Sequence, residues 1–236
     1  MKVEELEKYG AALEMGKDPV RVQNKIMFNA LKKEFGLFGM LGIFKDTLLN
    51  NARLRKQYPE VQREIAEINK TLEKELFIFS GLFLAISKRI GREAAYEFFR
   101  TKIINDMGKI SIPDIYQLND LVKCEGDVFD NFKRMNIAMF ERTTKDKTWH
   151  MDSYIDEPDK LTIKVTTCAN IEFFNKLGVP ELGKFGCDHD LAGYPAIEED
   201  VNCDFRRMCT LAKGGDHCLF EFYRRGSAPD NVHLNK

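Results

Sequence analysis

From Pro19 to about Lys133, apolar residues recur at helical spacing, and glycine and proline stand mostly where a helix should stop. Four or five helices are predicted there. Leu37, Met40, Leu41, Phe44, Leu48 and Leu49 form one stripe, which runs out at Asn50-Asn51 and continues weakly to Tyr58-Pro59. Glu60 to Arg89 reads as a single helix, charged in its first half and apolar in its second, and Gly91 ends it. Arg92 to Asp106 follows with Ala95, Phe98, Phe99, Ile103 and Ile104 inward. Ser111-Ile112-Pro113-Asp114 then has the form of a start signal for a helix through roughly Asn131.

After about Asn136 the period changes from helical to alternating, which places three or four strands. Thr148 to Ile155 and Leu161 to Cys168 flank a turn-rich gap and form a hairpin. Asn170 to Leu177 and Pro180 to His189 are short helices, and Gly193-Tyr194-Pro195 leads back to the sheet. Cys203 to Ala212 and Asp216 to Arg224 make a second hairpin, for which Gly214-Gly215 is the expected two-residue turn. That turn sets Leu211 opposite Cys218, Cys209 opposite Phe220 and Arg207 opposite Phe222 on one face, with Cys203 and Phe205. Arg206, Thr210, His217, Glu221 and Tyr223 lie on the other, solvated face. Arg207 is thus a cation among apolar groups and needs either a carboxylate such as Asp190 or Glu199, or a bound anion.

The class is therefore α+β: a helical N-terminal half packed on a C-terminal antiparallel sheet of about four strands, with a small-molecule pocket between the layers. Residues 1–135 form the helical region, 136–226 the strand-rich ligand or catalytic region and 227–236 a flexible tail, in one compact unit. Composition narrows the partners. With 36 basic and 37 acidic residues and a net charge of -1, the 236-residue chain has no global field for nucleic acid or an anionic membrane. MKVEELEKYG lacks the basic start and apolar run of a signal peptide, and the longest apolar stretches are about half of the ~20 residues a membrane span needs. A cytoplasmic protein with free thiols at Cys124, Cys168, Cys187, Cys203, Cys209 and Cys218 is expected. Gly36, Gly39 and Gly42 are not followed by the lysine-serine/threonine pair of a phosphate loop and read as close helix packing.

The most specific pattern is a Cys ending a strand (Cys168), a Cys with an Asp three residues on (Cys187, Asp190), and Gly-x-x-Cys-x-Phe closing a hairpin (Gly215, Cys218, Phe220). Together with Glu172-Phe173-Phe174 and Leu177 to Leu182, it resembles the L-2-amino-thiazoline-4-carboxylic acid hydrolase family over the last third of the chain. The helical half is similar only in general character. The resemblance implies hydrolytic opening of a small cyclic amidine that carries a carboxylate, giving a carbamoyl-cysteine type of product. The Gly-x-x-Cys-x-Phe ending also resembles the small-ligand-binding domain of vinyl reductases and some sensor proteins, which implies binding without turnover as the alternative.

Ring opening needs a nucleophile at the amidine carbon, a carboxylate on the amidinium and a proton donor for the departing atom. Cys168 or Cys187 supplies the first or positions water, with Cys218 in the same motif, and Asp190 acts as base or anchor. Arg207 binds the substrate carboxylate, and His189 is the alternative proton shuttle. No cofactor is required by this scheme. The rival constellation is zinc on Cys168, Cys187 and Cys218 with Asp190 or His189, although no CxxC or HxxxH pair marks it. The bland alternatives are packing for Cys124 and Cys209, a surface position for His150, His217 and His233, and a turn or cap role for Asp188 and Asp190. The helical half is also where a homo-oligomer contact would form.

Overall fold

Two local breaks organise the helical half. A computed structural model of the chain describes residues 2–10 and 17–230. After α1 (Val3–Gly10), α2 (Lys17–Gln57) is interrupted at Gly36, whose φ of 68° and ψ of 176° are closed to helix. The face that α2 buries carries Met40, Ile43, Thr47 and Leu54, whereas Leu37, Leu41, Leu48 and Leu49 are exposed. The expected stripe is therefore rotated, because α2 is apolar over more than one face and period alone does not choose between them. The second break separates α3 (Pro59–Ile68) from α4 (Lys70–Ile90), where a single helix was expected. Asn69 is extended, and its side-chain oxygen accepts from the N–H groups of Thr71 and Leu72, which starts a new helix.

Gly91 ends α4, and α5 (Arg92–Phe99) runs through a π-helical segment, Arg100–Ile104, into α6 (Asn105–Ile115). Ser111-Ile112-Pro113-Asp114 sits inside the end of α6 rather than starting a helix. Ser111 turns its hydroxyl back to the Met107 carbonyl at 2.8 Å, and Gln117 at φ 45° stops the helix. The short α7 (Leu118–Leu121) leads to α8 (Val128–Lys145), capped by Asp127 and extending well beyond Asn136.

The sheet consists of β1 (Trp149–Glu157), β2 (Lys160–Cys168), β3 (Cys203–Cys209) and β4 (Cys218–Arg224), in the antiparallel order β1-β2-β4-β3. Between β2 and β3 lie α9 (Ala169–Lys176), a 3₁₀ turn at Pro180–Lys184, α10 (Phe185–Gly193) and another turn at Tyr194–Ala196. The Gly-Gly hairpin is corrected. β3 and β4 are joined by residues 210–217, in which Leu211–Lys213 forms a 3₁₀ turn and Thr210 O accepts from Gly215 N at 3.0 Å. Arg207 consequently faces Phe220, Phe205 faces Phe222, and Cys209 faces Leu219 after a bulge. The face assignment survives this slip for Cys203, Phe205, Arg207, Cys218, Phe220 and Phe222, which are all buried, but not for Cys209, which the bulge turns to the opposite face with Leu219. On the opposite face Thr210 and Glu221 are buried too, Glu221 beneath a 2.6 Å ion pair with Lys160.

One apolar cluster joins α2, α4, α5 and α9, and a second joins α6, α8 and the inner face of the sheet. Two glycines let α10 approach α6. A Cβ on Gly108 would stand 2.5 Å from the His189 carbonyl oxygen, and one on Gly193 would stand 2.7 Å from the Gly108 carbonyl. Gly108→Ala is expected to cost about 1–3 kcal/mol through forced separation of these backbones, read from the urea midpoint. An unchanged midpoint would mean that the helices have room to part. Among the described residues no helix is long and apolar enough to cross a membrane. Of the 227–236 segment, residues 231–236, with His233, lie outside the described residues.

Candidate active site

The inner face of β3 and β4, the end of β2 and the first turns of α9 and α10 enclose a small cavity of about 30 Å³. Cys168, Cys187, Asp190, Arg207 and Cys218 all line it, beside Trp149 and Phe220. Cys168 arrives as the last residue of β2, Cys187 and Asp190 share one face of α10, and Cys218 opens β4. Arg207 is 3% exposed, and its guanidinium lies over the Phe220 ring, 3.5 Å from the centroid. It donates to Asp190 Oδ2 at 3.2 Å and to Cys187 Sγ at 3.8 Å. The buried cation therefore has the internal carboxylate that its position called for; Glu199 instead meets Arg225.

A second cavity, about 370 Å³, adjoins the first and shares Trp149, Asn170, Gly186, Asp190 and Phe220 with it. It lies between the helical layer and the sheet, with α4, α6, α8, α9 and α10 as walls, and its volume is in the range of small-molecule sites. The lining is mostly apolar, including Leu76, Phe79, Met107, Ile112, Phe174 and Phe185. Polar groups are few: Gln23, Glu75, Ser111, Asn170, Asp190, Tyr194 and His189. His189 contacts the Ser111 hydroxyl through Nε2 and stands 3.6 Å from Asp190 through Nδ1. Asp188, one residue before it, belongs to neither cavity and accepts from Tyr96 at 2.5 Å.

The thiols are not equivalent. Cys218 is drawn down to about 7 by a hydrogen bond from Cys187, with the charge of Arg207 and the Leu211 N–H adding to it against the cost of burial. Cys187, as the donor in that pair and buried, is pushed up. Burial pushes Cys168 up to about 11. The thiol that these fields make most readily ionised of the three is thus Cys218 rather than the two cysteines that the sequence puts first.

These geometries accompany a family match. The L-2-amino-thiazoline-4-carboxylic acid hydrolase model matches residues 69–222. The chain belongs to this family. No curated protein and no solved structure matches it. The match starts at the Asn69 cap, so it takes in α4 and α6 as well as the strand-rich segment, and of the residues lining the two cavities only Gln23 falls outside it. For this hydrolase-family chain, all six residues expected at the site come together around the two cavities, Cys168, Cys187, Asp190, Arg207 and Cys218 at the smaller one and His189 at the larger.

The zinc alternative fares differently in geometry. Among the described residues, ligand atoms gathered within 4.8 Å of one another belong to Cys209, Asp216 and His217, not to Cys168, Cys187 and Cys218. His217 is already held by Asp216, and Gly215 is glycine because a Cβ there would meet Cys209 Sγ at 2.3 Å. The sequence reading missed Glu75, Asn170 and Ser111. For Glu75 a signal existed, since Leu72, Glu75, Leu76 and Phe79 fall on one helical face on which the acid is the exception.

Proposed function

We propose that the chain hydrolyses a carbon–nitrogen bond of a small cyclic amidine that carries a carboxylate, as in the opening of 2-aminothiazoline-4-carboxylate. The observation that carries this reading is the convergence of Cys218, Cys187, Arg207 and Asp190 on the smaller cavity, which adjoins a substrate-sized one through Asp190, Trp149 and Phe220, with the Cys218 thiol drawn down by its neighbours. Cys218 thiolate adds to the amidine carbon. The ring carbon–nitrogen bond then breaks and its nitrogen leaves protonated, with His189 beside Ser111 as the donor. Water adds to the remaining iminium carbon, now bonded to Cys218 Sγ, the ring sulfur and the exocyclic nitrogen, and expels the Cys218 thiolate, which leaves the carbamoyl group on the substrate sulfur. The smaller cavity is of the size that one water occupies.

Asp190 spans both spaces and anchors the amidinium, while Arg207, through Asp190 and Cys187, sets the field in which Cys218 works. Arg207 as the clamp for the substrate carboxylate is less well supported, because its guanidinium is already engaged by Asp190 and Phe220. The test is incubation of the purified protein with 2-aminothiazoline-4-carboxylate in heavy-oxygen water, followed by mass spectrometry. One heavy oxygen in a carbamoyl product is expected. Recovery of unchanged substrate over many hours would sink the proposal. The second reading, binding without turnover, is favoured by one observation: the larger cavity is roomier and more apolar than a small polar ring acid requires.

A further inference from the structure

Glu75 is anomalous on the wall of the larger cavity. It stands on α4 between Leu72, Leu76 and Phe79, which face the same space. No hydrogen bond or ion pair ties it to any described residue, unlike neighbouring Glu73, which is buried against Arg55. Its side chain is exposed and lines the cavity, and the neighbouring protein surface pushes its pKa up from the ordinary carboxylate value. An acid on the cavity-facing apolar stripe of α4 breaks the pattern of its helix. Such violations of the local rule concentrate at binding sites.

We propose that Glu75 is the specificity determinant of the larger cavity and pairs with the basic group, an amine or amidine, of an organic cation whose apolar body packs on Phe79, Phe174 and Phe185. Three features agree with this. The rings supply an apolar surface that also attracts a cation through its π faces. The volume of about 370 Å³ leaves room beyond a reacting ring. The other carboxylate on the wall, Asp190, is shared between Arg207 and the reacting ring in the hydrolase reading, so Glu75 supplies a second negative charge for a second basic group. The inference deepens the hydrolase reading and rests on it for calling the cation a substrate: the molecule would carry an apolar extension and a second basic group beyond the bond that is cut.

The test is isothermal titration of benzamidine, with benzyl alcohol as neutral analogue and phenylacetate as anionic analogue, into the wild-type chain, Glu75→Gln and Glu75→Leu. Benzamidine should bind the wild type best and lose about tenfold or more in affinity in both variants, while benzyl alcohol changes little. Glu75→Leu guards against a folding defect, because leucine suits this apolar wall. Equal benzamidine affinity in all three proteins, tighter phenylacetate than benzamidine, or no benzamidine binding at millimolar concentration would each overturn the inference. Turnover of 2-aminothiazoline-4-carboxylate is measured separately. Cation binding through Glu75 without turnover would remove the hydrolase reading and leave the cation site; turnover with no preference for cations would do the reverse.

Discussion

Cys218→Ser is expected to lower hydrolysis of 2-aminothiazoline-4-carboxylate by about three orders of magnitude or more, the scale on which loss of a nucleophile is felt. The warrant is electrostatic. A hydrogen bond from the Cys187 thiol, the charge of Arg207 and the Leu211 N–H all favour the thiolate, so Cys218 ionises at a lower pH than an ordinary thiol. Serine keeps the size but is not ionised at that pH. Alkylation by iodoacetamide at Cys218, followed by peptide mass spectrometry, should rise as pH increases through about 7, whereas Cys168 should respond only toward about 11. Cys187→Ala removes the first contribution and should move the Cys218 midpoint upward. A serine variant that turns over substrate at the wild-type rate would exclude Cys218 as nucleophile and return attention to Cys168 or to directly activated water.

The largest stability effect is expected at Asp190. Asp190→Ala removes the carboxylate facing a guanidinium that is 3% exposed, and stranding one member of a buried pair costs about 3–5 kcal/mol. The doubly substituted Asp190→Ala, Arg207→Met chain should recover much of that loss, since the apolar side chain can pack on Phe220 where the cation now lies. Urea unfolding of the four proteins in this cycle gives the coupling directly. Additive losses in the double variant would mean that the pair is not a unit, and the field assigned to Arg207 at Cys218 would lose its main support.

The chain's own pattern determined much of this. Alternation in β2, β3 and β4 is legible because one face of each is buried, whereas β1 is exposed over most of its length and is placed by its pairing with β2. Cys203, Phe205, Arg207, Cys218, Phe220 and Phe222 could be put on one buried face even with the wrong turn, because the real connection changes the partner of each residue without turning the strand over. The need of Arg207 for an anion also followed from sequence, as the desolvation of a cation does not depend on which acid answers it.

Other features were decided only by tertiary structure. Whether Gly214-Gly215 closes a tight hairpin depends on where Thr210 O finds its donors, and whether Ser111 caps a helix or meets His189 depends on α10 lying against Gly108. The buried face of α2 was likewise settled by the elements that cover it. Which cysteine is most readily ionised was not readable at all, since the field at Cys218 is set by a donor, a cation and a backbone N–H brought from three separate segments. Glu75 shows the same division: its place on an apolar helical face is local, but its lack of a partner and its opening onto a cavity exist only once α4 is packed against the rest.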